Sequence, residues 1–132
     1  MFECGVDIVR IDRIAKSIQN PRFLERVFSA EEICVFAQKN MPVQSIAAAF
    51  SAKEAFSKAL GTGVRGFSLP EVEVLHDALG KPYFRLGGRA AARAAERGLA
   101  FSLSLSHTDE VAVAFVVAHA VTADVQPEAR TD

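Results

Sequence analysis

Cysteine is scarce in this sequence: Cys4 and Cys34 are the only two, and they form no Cys-x-x-Cys pair. A disulfide scaffold and a tetrahedral cysteine–zinc site are thereby excluded, and both side chains are expected to be buried as small hydrophobes in a reducing compartment. An excess of one charge is missing as well: fifteen Lys and Arg face sixteen Asp and Glu, a formal net charge of −1. No global field calls for nucleic acid or an anionic membrane, so any basic surface must be local. No apolar run approaches the roughly 20 residues that span a bilayer. The first residues carry Glu3 and Asp7 instead of the basic n-region of a signal peptide, and the cytoplasm is the expected location. Internal repeats and low-complexity segments are absent too.

What is present is the composition of a folded domain. The chain has 132 residues, 50% hydrophobic and 23% charged, a globular mix and not a disordered one. That length corresponds to one domain with one core. A single domain is expected over residues 1–119, followed by a polar C-terminal tail over 120–132 that frays.

Phe2 to Ile8 reads as a strand, with Phe2, Cys4, Val6 and Ile8 on one face and Glu3, Gly5, Asp7 and Val9 on the other. Ile11, Ile14, Ala15 and Ile18 then recur at helical spacing, until Asn20-Pro21 stops the helix. A short helix is expected over Pro21 to Val27, and the capping box Ser29-Ala-Glu-Glu32 opens another that reaches about Gln38. After the break at Asn40-Met-Pro42, an Ala-rich helix runs from Val43 to Leu60 and stops at Gly61-Thr-Gly63. The second half changes character. Strands are expected over Val72–Leu75 and Tyr83–Leu86 around a turn, a helix over Gly88–Arg97, and strands over Leu99–Ser106 and Val111–Ala118. The last of these is nearly all apolar, which predicts a central strand buried on both faces. Helices in the first half and antiparallel strands in the second make the fold class α+β, an antiparallel sheet packed against a long central helix.

Two features stand out chemically. Asp7 lies within Gly-Val-Asp-Ile-Val, and a carboxylate inside an apolar strand costs free energy unless it is paired, hydrogen-bonded or bound to a cation. Gly5, two residues earlier on the same face, leaves space beside it. On the helix Ser51–Leu60, Ala52, Ala55, Phe56 and Ala59 share one side, while Glu54 and Lys58, four apart, stand together on the opposite side. By spacing alone that pair is an exposed ion pair worth about 0.3–0.5 kcal/mol. Phe50 lies near Glu54, however, so the face is not fully solvated. Two hard oxygen ligands suit Mg²⁺ with substrate phosphates, and a lysine one turn away balances phosphate charge. The match of Gly61–Gly66 to G-x-G-x-x-G is weak, because it follows a helix and no βαβ unit surrounds it. Ser106-His107-Thr-Asp109 lacks the glycines of a nucleophile elbow, and adjacent strand residues point apart. His107 reads either as a phosphate donor or as an ordinary turn histidine. Arg10, Arg13, Lys16, Arg22 and Arg26, against Asp12 and Glu25, read equally as a solvated helix face or a docking patch.

Together, Gly5-Val-Asp7-Ile-Val, the run Phe50-Ser-Ala-Lys53-Glu54-Ala-Phe-Ser-Lys58-Ala-Leu-Gly61-Thr-Gly63, Gly80-Lys81-Pro82 and Ser104-Leu-Ser106-His107 carry a resemblance. Over roughly residues 2 to 118 the chain resembles the holo-[acyl-carrier-protein] synthases of the 4′-phosphopantetheinyl transferase superfamily. The resemblance implies transfer of the phosphopantetheine arm of coenzyme A to a serine of an acyl carrier protein, with adenosine 3′,5′-bisphosphate released. It implies catalytic residues Asp7, Glu54 and Lys58, with Asp7 and Glu54 as Mg²⁺ ligands. Coenzyme A would be bound by Lys58, Gly61, Lys81, Pro82 and His107. The carrier protein of fatty-acid or polyketide synthesis would meet Arg10, Arg13 and Arg22, and the assembly would be a homotrimer with active sites between protomers. The chain departs from the pattern in one place. Relatives carry basic residues just before the motif phenylalanine that contact the 3′-phosphate of coenzyme A, and here Gln44, Ala48 and Ala49 occupy that stretch. Arg65, Lys81 and His107 are the candidates to replace them.

Overall fold

Local signals set most of the element boundaries. In the computed structural model, which describes residues 2–61 and 65–121, the order is β1 (Phe2–Arg10), α1 (Ile11–Ser17), α2 (Pro21–Val27), α3 (Ala30–Gln38), α4 (Val43–Leu60), β2 (Val72–His76), β3 (Pro82–Leu86), α5 (Gly88–Arg97), β4 (Leu99–His107) and β5 (Val111–Ala120). A 3₁₀ turn, Leu69–Glu71, leads into β2. Asn20 separates α1 from α2: its side chain accepts from the Arg22 amide at 3.0 Å, and Pro21 takes the first helical position. The capping box of α3 is complete. The Ser29 hydroxyl accepts from the Glu32 amide at 3.2 Å and the Glu32 carboxylate from the Ser29 amide at 2.9 Å. α4 closes on Gly61 at φ +85°, a left-handed conformation that glycine adopts without a Cβ penalty.

The fold class is α+β. An antiparallel sheet of order β1-β5-β4 carries α4 on its inner face, and β2 and β3 form a separate hairpin. Ile46, Ala47, Ala52, Ala55 and Phe56 of α4 are fully buried, as are Ala112, Ala114, Val116 and Ala118 of β5. Small residues on both surfaces let helix and sheet approach closely. The tightest point is Gly5, where an added methyl would collide with the Ala55 carbonyl and stand 2.7 Å from the Ala59 nitrogen. Gly5→Ala is therefore expected to lift α4 from β1 and cost about 1–3 kcal/mol, the usual range for overpacking. Urea unfolding checks it.

A charged network lies on the other flank of α4. Lys53 is fully buried and uses all three protons: it donates to Glu32 Oε1 at 2.6 Å, to the Val27 carbonyl at 2.7 Å and to the Leu69 carbonyl at 3.1 Å. Glu32 Oε2 accepts from the Val74 amide at 2.9 Å. Burial pushes the Lys53 ammonium toward its neutral form, and Glu32 opposes that. The network ties α2, α3, the 3₁₀ turn and β2 to α4.

Three expectations need correction. β5 is central, but only one of its faces is buried; on the other, Phe115 is 45% exposed beside Val6 at 54% and Ile8 at 63%. No described element covers that face. Cys4 shares it and is exposed for the same reason, and Cys34 is exposed on α3, so neither cysteine is a core residue. β5 also continues to Ala120, past the expected start of the tail. The rest of the expected tail, 122–132, lies outside the described residues, as does 62–64 of the glycine run after α4.

Candidate active site

The close crossing at Gly5 places Asp7 of β1 against α4. Its side chain is 16% exposed, and its two carboxylate oxygens are held differently. Oδ2 lies 3.0 Å from the Ser51 hydroxyl, which also stands 2.9 Å from the Asp7 carbonyl. Oδ1 accepts from Lys58 Nζ at 3.3 Å, and the same ammonium donates to the Val6 carbonyl at 2.9 Å. Lys58 therefore reaches across to β1 and does not make the along-helix pair with Glu54 that the spacing suggested. The physical reason is acceptor number: β1 offers a carboxylate and a carbonyl together.

Glu54 stands close to this pair. Among the described residues nothing donates a hydrogen bond to its carboxylate. Burial raises its proton affinity and the nearby Asp7 charge raises it further, while Lys58 and Arg13 pull it down; the net shift is upward. A half-buried carboxylate crowded by a second one, with an open side, suits a bound cation. Among the described residues no three His, Cys, Asp or Glu cluster together, so no closed protein cage is formed. Two carboxylates without a third such ligand among the described residues fit Mg²⁺, which usually keeps waters and substrate phosphates in its shell, better than a structural zinc.

The remaining candidates lie further off. Gly61 caps α4. Lys81 and Pro82 end the β2–β3 turn, where Asp77 Oδ1 accepts from the Leu79 and Lys81 amides at 2.9 Å each. Arg13, Arg22 and Arg26 are exposed on α1 and α2, and Arg10 pairs with Asp12 at 2.7 Å. His107 ends β4 and lines a cavity of about 920 Å³, together with Gln44, Ala48, Ala49 and Gly80. None of Asp7, Ser51, Glu54 and Lys58 lines that cavity.

The sequence reading missed Ser51, Lys39 and His76. Ser51 had a signal, for it lies three residues before Glu54 and seven before Lys58, on the same helical side. Lys39 and His76 had none. They meet only in the fold, where both line the cavity. Burial pushes the His76 imidazole down, the Lys39 charge adds to this, and Asp77 opposes it. The Lys39 ammonium and an imidazole pushed toward its neutral form thus share one wall.

The profile of the 4′-phosphopantetheinyl transferase superfamily matches residues 3–116. The chain is 44% identical over 116 residues to a holo-[acyl-carrier-protein] synthase of Caldanaerobacter subterraneus subsp. tengcongensis, covering 86% of this chain and 91% of that one. Its structure is similar to the crystal structure of holo-[acyl-carrier-protein] synthase from Neisseria meningitidis, with TM-score 0.83, 40% identity, and 89% and 97% of the two chains covered. It is also similar to the Chronobacterium ammoniagenes ACPS–CoA complex, with TM-score 0.80, 28% identity, and 92% and 99% covered.

Proposed function

The chain belongs to the holo-[acyl-carrier-protein] synthases of the 4′-phosphopantetheinyl transferase superfamily, and from that premise we propose that it moves the 4′-phosphopantetheine arm of coenzyme A onto a serine of an apo-acyl carrier protein, with Mg²⁺ held by Asp7 and Glu54. The observation that carries the reading is the gathering of Asp7, Glu54 and Lys58 where β1 crosses α4. Asp7 and Glu54 would hold the cation, which would supply positive charge to offset that of the substrate phosphates.

The chain's own groups do the rest. The serine Oγ–phosphorus bond forms at the pantetheine-bearing phosphorus, and the bond from that phosphorus to the bridging oxygen breaks. The electron pair leaves with adenosine 3′,5′-bisphosphate. Negative charge spreads over the equatorial oxygens, and Lys58, 56% exposed at the site, is free to stabilise it. Glu54, the carboxylate beside Asp7, is placed to take the serine proton. Arg10, Arg13 and Arg22 offer an exposed basic surface to an acidic carrier protein, with steering that weakens as salt rises.

The reading includes a homotrimer. The open apolar face at Val6, Ile8 and Phe115 favours association between copies, and the separation of the cavity from Asp7 and Glu54 favours a site completed by a neighbouring copy. The cavity then takes the far end of coenzyme A. Lys39, as a cation, and His76, as a neutral N–H donor, there stand in for the basic residues missing at Gln44, Ala48 and Ala49. Lys39→Ala and His76→Ala are each expected to raise the KM for coenzyme A about tenfold, the loss of one hydrogen bond to a charged group. kcat and the KM for dephospho-coenzyme A should stay unchanged. Steady-state kinetics with both donors checks this.

The test of the function itself is incubation with coenzyme A, Mg²⁺ and apo-carrier protein, followed by weighing of the carrier by mass spectrometry. A mass increase of one phosphopantetheine is expected. The missing basic residues favour one rival, a non-catalytic relative that only binds carrier protein or nucleotide. A carrier left unmodified across several carrier proteins would decide for that rival.

A further inference from the structure

Ser51 and Ser57 are both buried on α4, and their hydroxyls do different things. Ser57 bonds back to the Lys53 carbonyl at 3.1 Å, four residues earlier, the usual resort of a buried serine inside a helix. Ser51 is found instead against β1, with its single proton aimed between two acceptors of one residue, the Asp7 carbonyl at 2.9 Å and Asp7 Oδ2 at 3.0 Å. Two contacts to one residue restrain both its backbone and its side-chain rotation. The other carboxylate oxygen, Oδ1, is left to Lys58 at a longer 3.3 Å.

The two partners of Asp7 differ in mobility. Ser51 has no exposed surface and a short side chain fixed by the helix, whereas Lys58 is 56% exposed on four rotatable bonds. One oxygen is therefore pinned and the other is held by a group that can leave. We propose that Ser51 is the positioning residue for Asp7. It keeps Oδ2 turned inward, so that Oδ1 faces the site at a constant angle and Lys58 can turn to a substrate phosphate without releasing the carboxylate. The proposal rests on the reading of Asp7 as a cation ligand given above. Ser51 touches neither substrate nor cation. It acts through Asp7, as hydrogen-bond partners behind metal ligands do, and their loss costs about 10–100-fold in metal affinity or activity.

The experiment titrates Mn²⁺ into the protein with coenzyme A present and follows free Mn²⁺ by electron paramagnetic resonance. Wild type, Ser51→Ala and Ser57→Ala are compared, and thermal unfolding of each is recorded beside the titration. Alanine is a good helix former, so both variants are expected to fold. Ser51→Ala should weaken Mn²⁺ binding about tenfold or more, and should regain transfer activity as Mn²⁺ is raised. Ser57→Ala deletes the same hydroxyl from the same buried helix and should leave Mn²⁺ affinity unchanged. Wild-type affinity in Ser51→Ala overturns the assignment. An equal loss in Ser57→Ala overturns it too, since general loosening of α4 would then be the cause. A wild-type protein that binds no Mn²⁺ overturns the cation reading itself, and the role of Ser51 with it.

Discussion

Glu54→Gln is expected to lower transfer by about 10²–10³-fold, the range for losing one pre-placed stabilising group, while leaving the fold at least as stable as wild type near neutral pH. The two outcomes have one cause. Burial and the Asp7 charge make the folded protein hold the Glu54 proton more tightly than the unfolded chain, whose carboxyl titrates near its ordinary 4.5. Below that value both states are protonated and Glu54 contributes no pH dependence. As pH rises through the raised folded value, the stability contributed by tighter proton binding is lost, because an ionised carboxylate is confined beside another. Glutamine cannot ionise and escapes that loss. The thermal midpoint of Glu54→Gln should therefore pull ahead of wild type as pH is raised from 4.5 toward 7. Asp7→Ala should lose comparable activity but not gain stability, since it removes the partner of both Ser51 and Lys58. Carrier-protein mass spectrometry gives the rates, and circular dichroism melts at pH 4.5 and 7 give the stabilities. A Glu54→Gln variant that turns over like wild type would falsify the assignment.

How much of this was legible beforehand depends on the range of each interaction. The helix starts at Asn20 and Ser29 and the stop at Gly61 were readable because each is a bond between near neighbours in the chain. Glu54 and Lys58 were visible together for the same reason. The true partner of Lys58 was not, because Asp7 is 51 residues away and becomes a neighbour only when the helix crosses the strand at Gly5. Cys4 and the second face of β5 were misjudged on one shared assumption, that the chain covers its own apolar strand faces, and Cys34 on α3 because a free cysteine is usually buried as a small hydrophobe. Phe115, Val6 and Ile8 show a face left open. Lys53 gave no signal of burial, since lysine is almost never fully buried and the adjacent Glu54 and nearby Lys58 look the same on paper.

That burial separates the two motif lysines in an experiment. Lys53→Ala is expected to destabilise the fold by about 3–5 kcal/mol, the cost of leaving a buried charge without its partner. Glu32, 1% exposed, would keep the amides of Ser29 and Val74 but lose its cation, and the carbonyls of Val27 and Leu69 would each lose the Lys53 donor. Replacing both ends, as in Lys53→Met with Glu32→Leu, removes the stranded charge and should cost less than the sum of the singles. It should not become neutral as many swapped ion pairs do, because the Val27 carbonyl loses Lys53 and the amides of Ser29 and Val74 lose Glu32, at about 1–3 kcal/mol each when buried, while the Leu69 carbonyl keeps the Val72 amide. A double-mutant cycle by urea unfolding measures both statements, and simple additivity would refute the coupling. Lys58→Ala should give the opposite signature. Its ion pair is more than half exposed on the lysine side, so its loss costs about 0–1 kcal/mol, whereas transfer falls because the phosphate oxygens lose their cation. Measured per folded molecule at low temperature, Lys53→Ala should retain much of its rate and Lys58→Ala little. That outcome would assign the lysine facing Glu32 to the fold and the lysine facing Asp7 to the reaction.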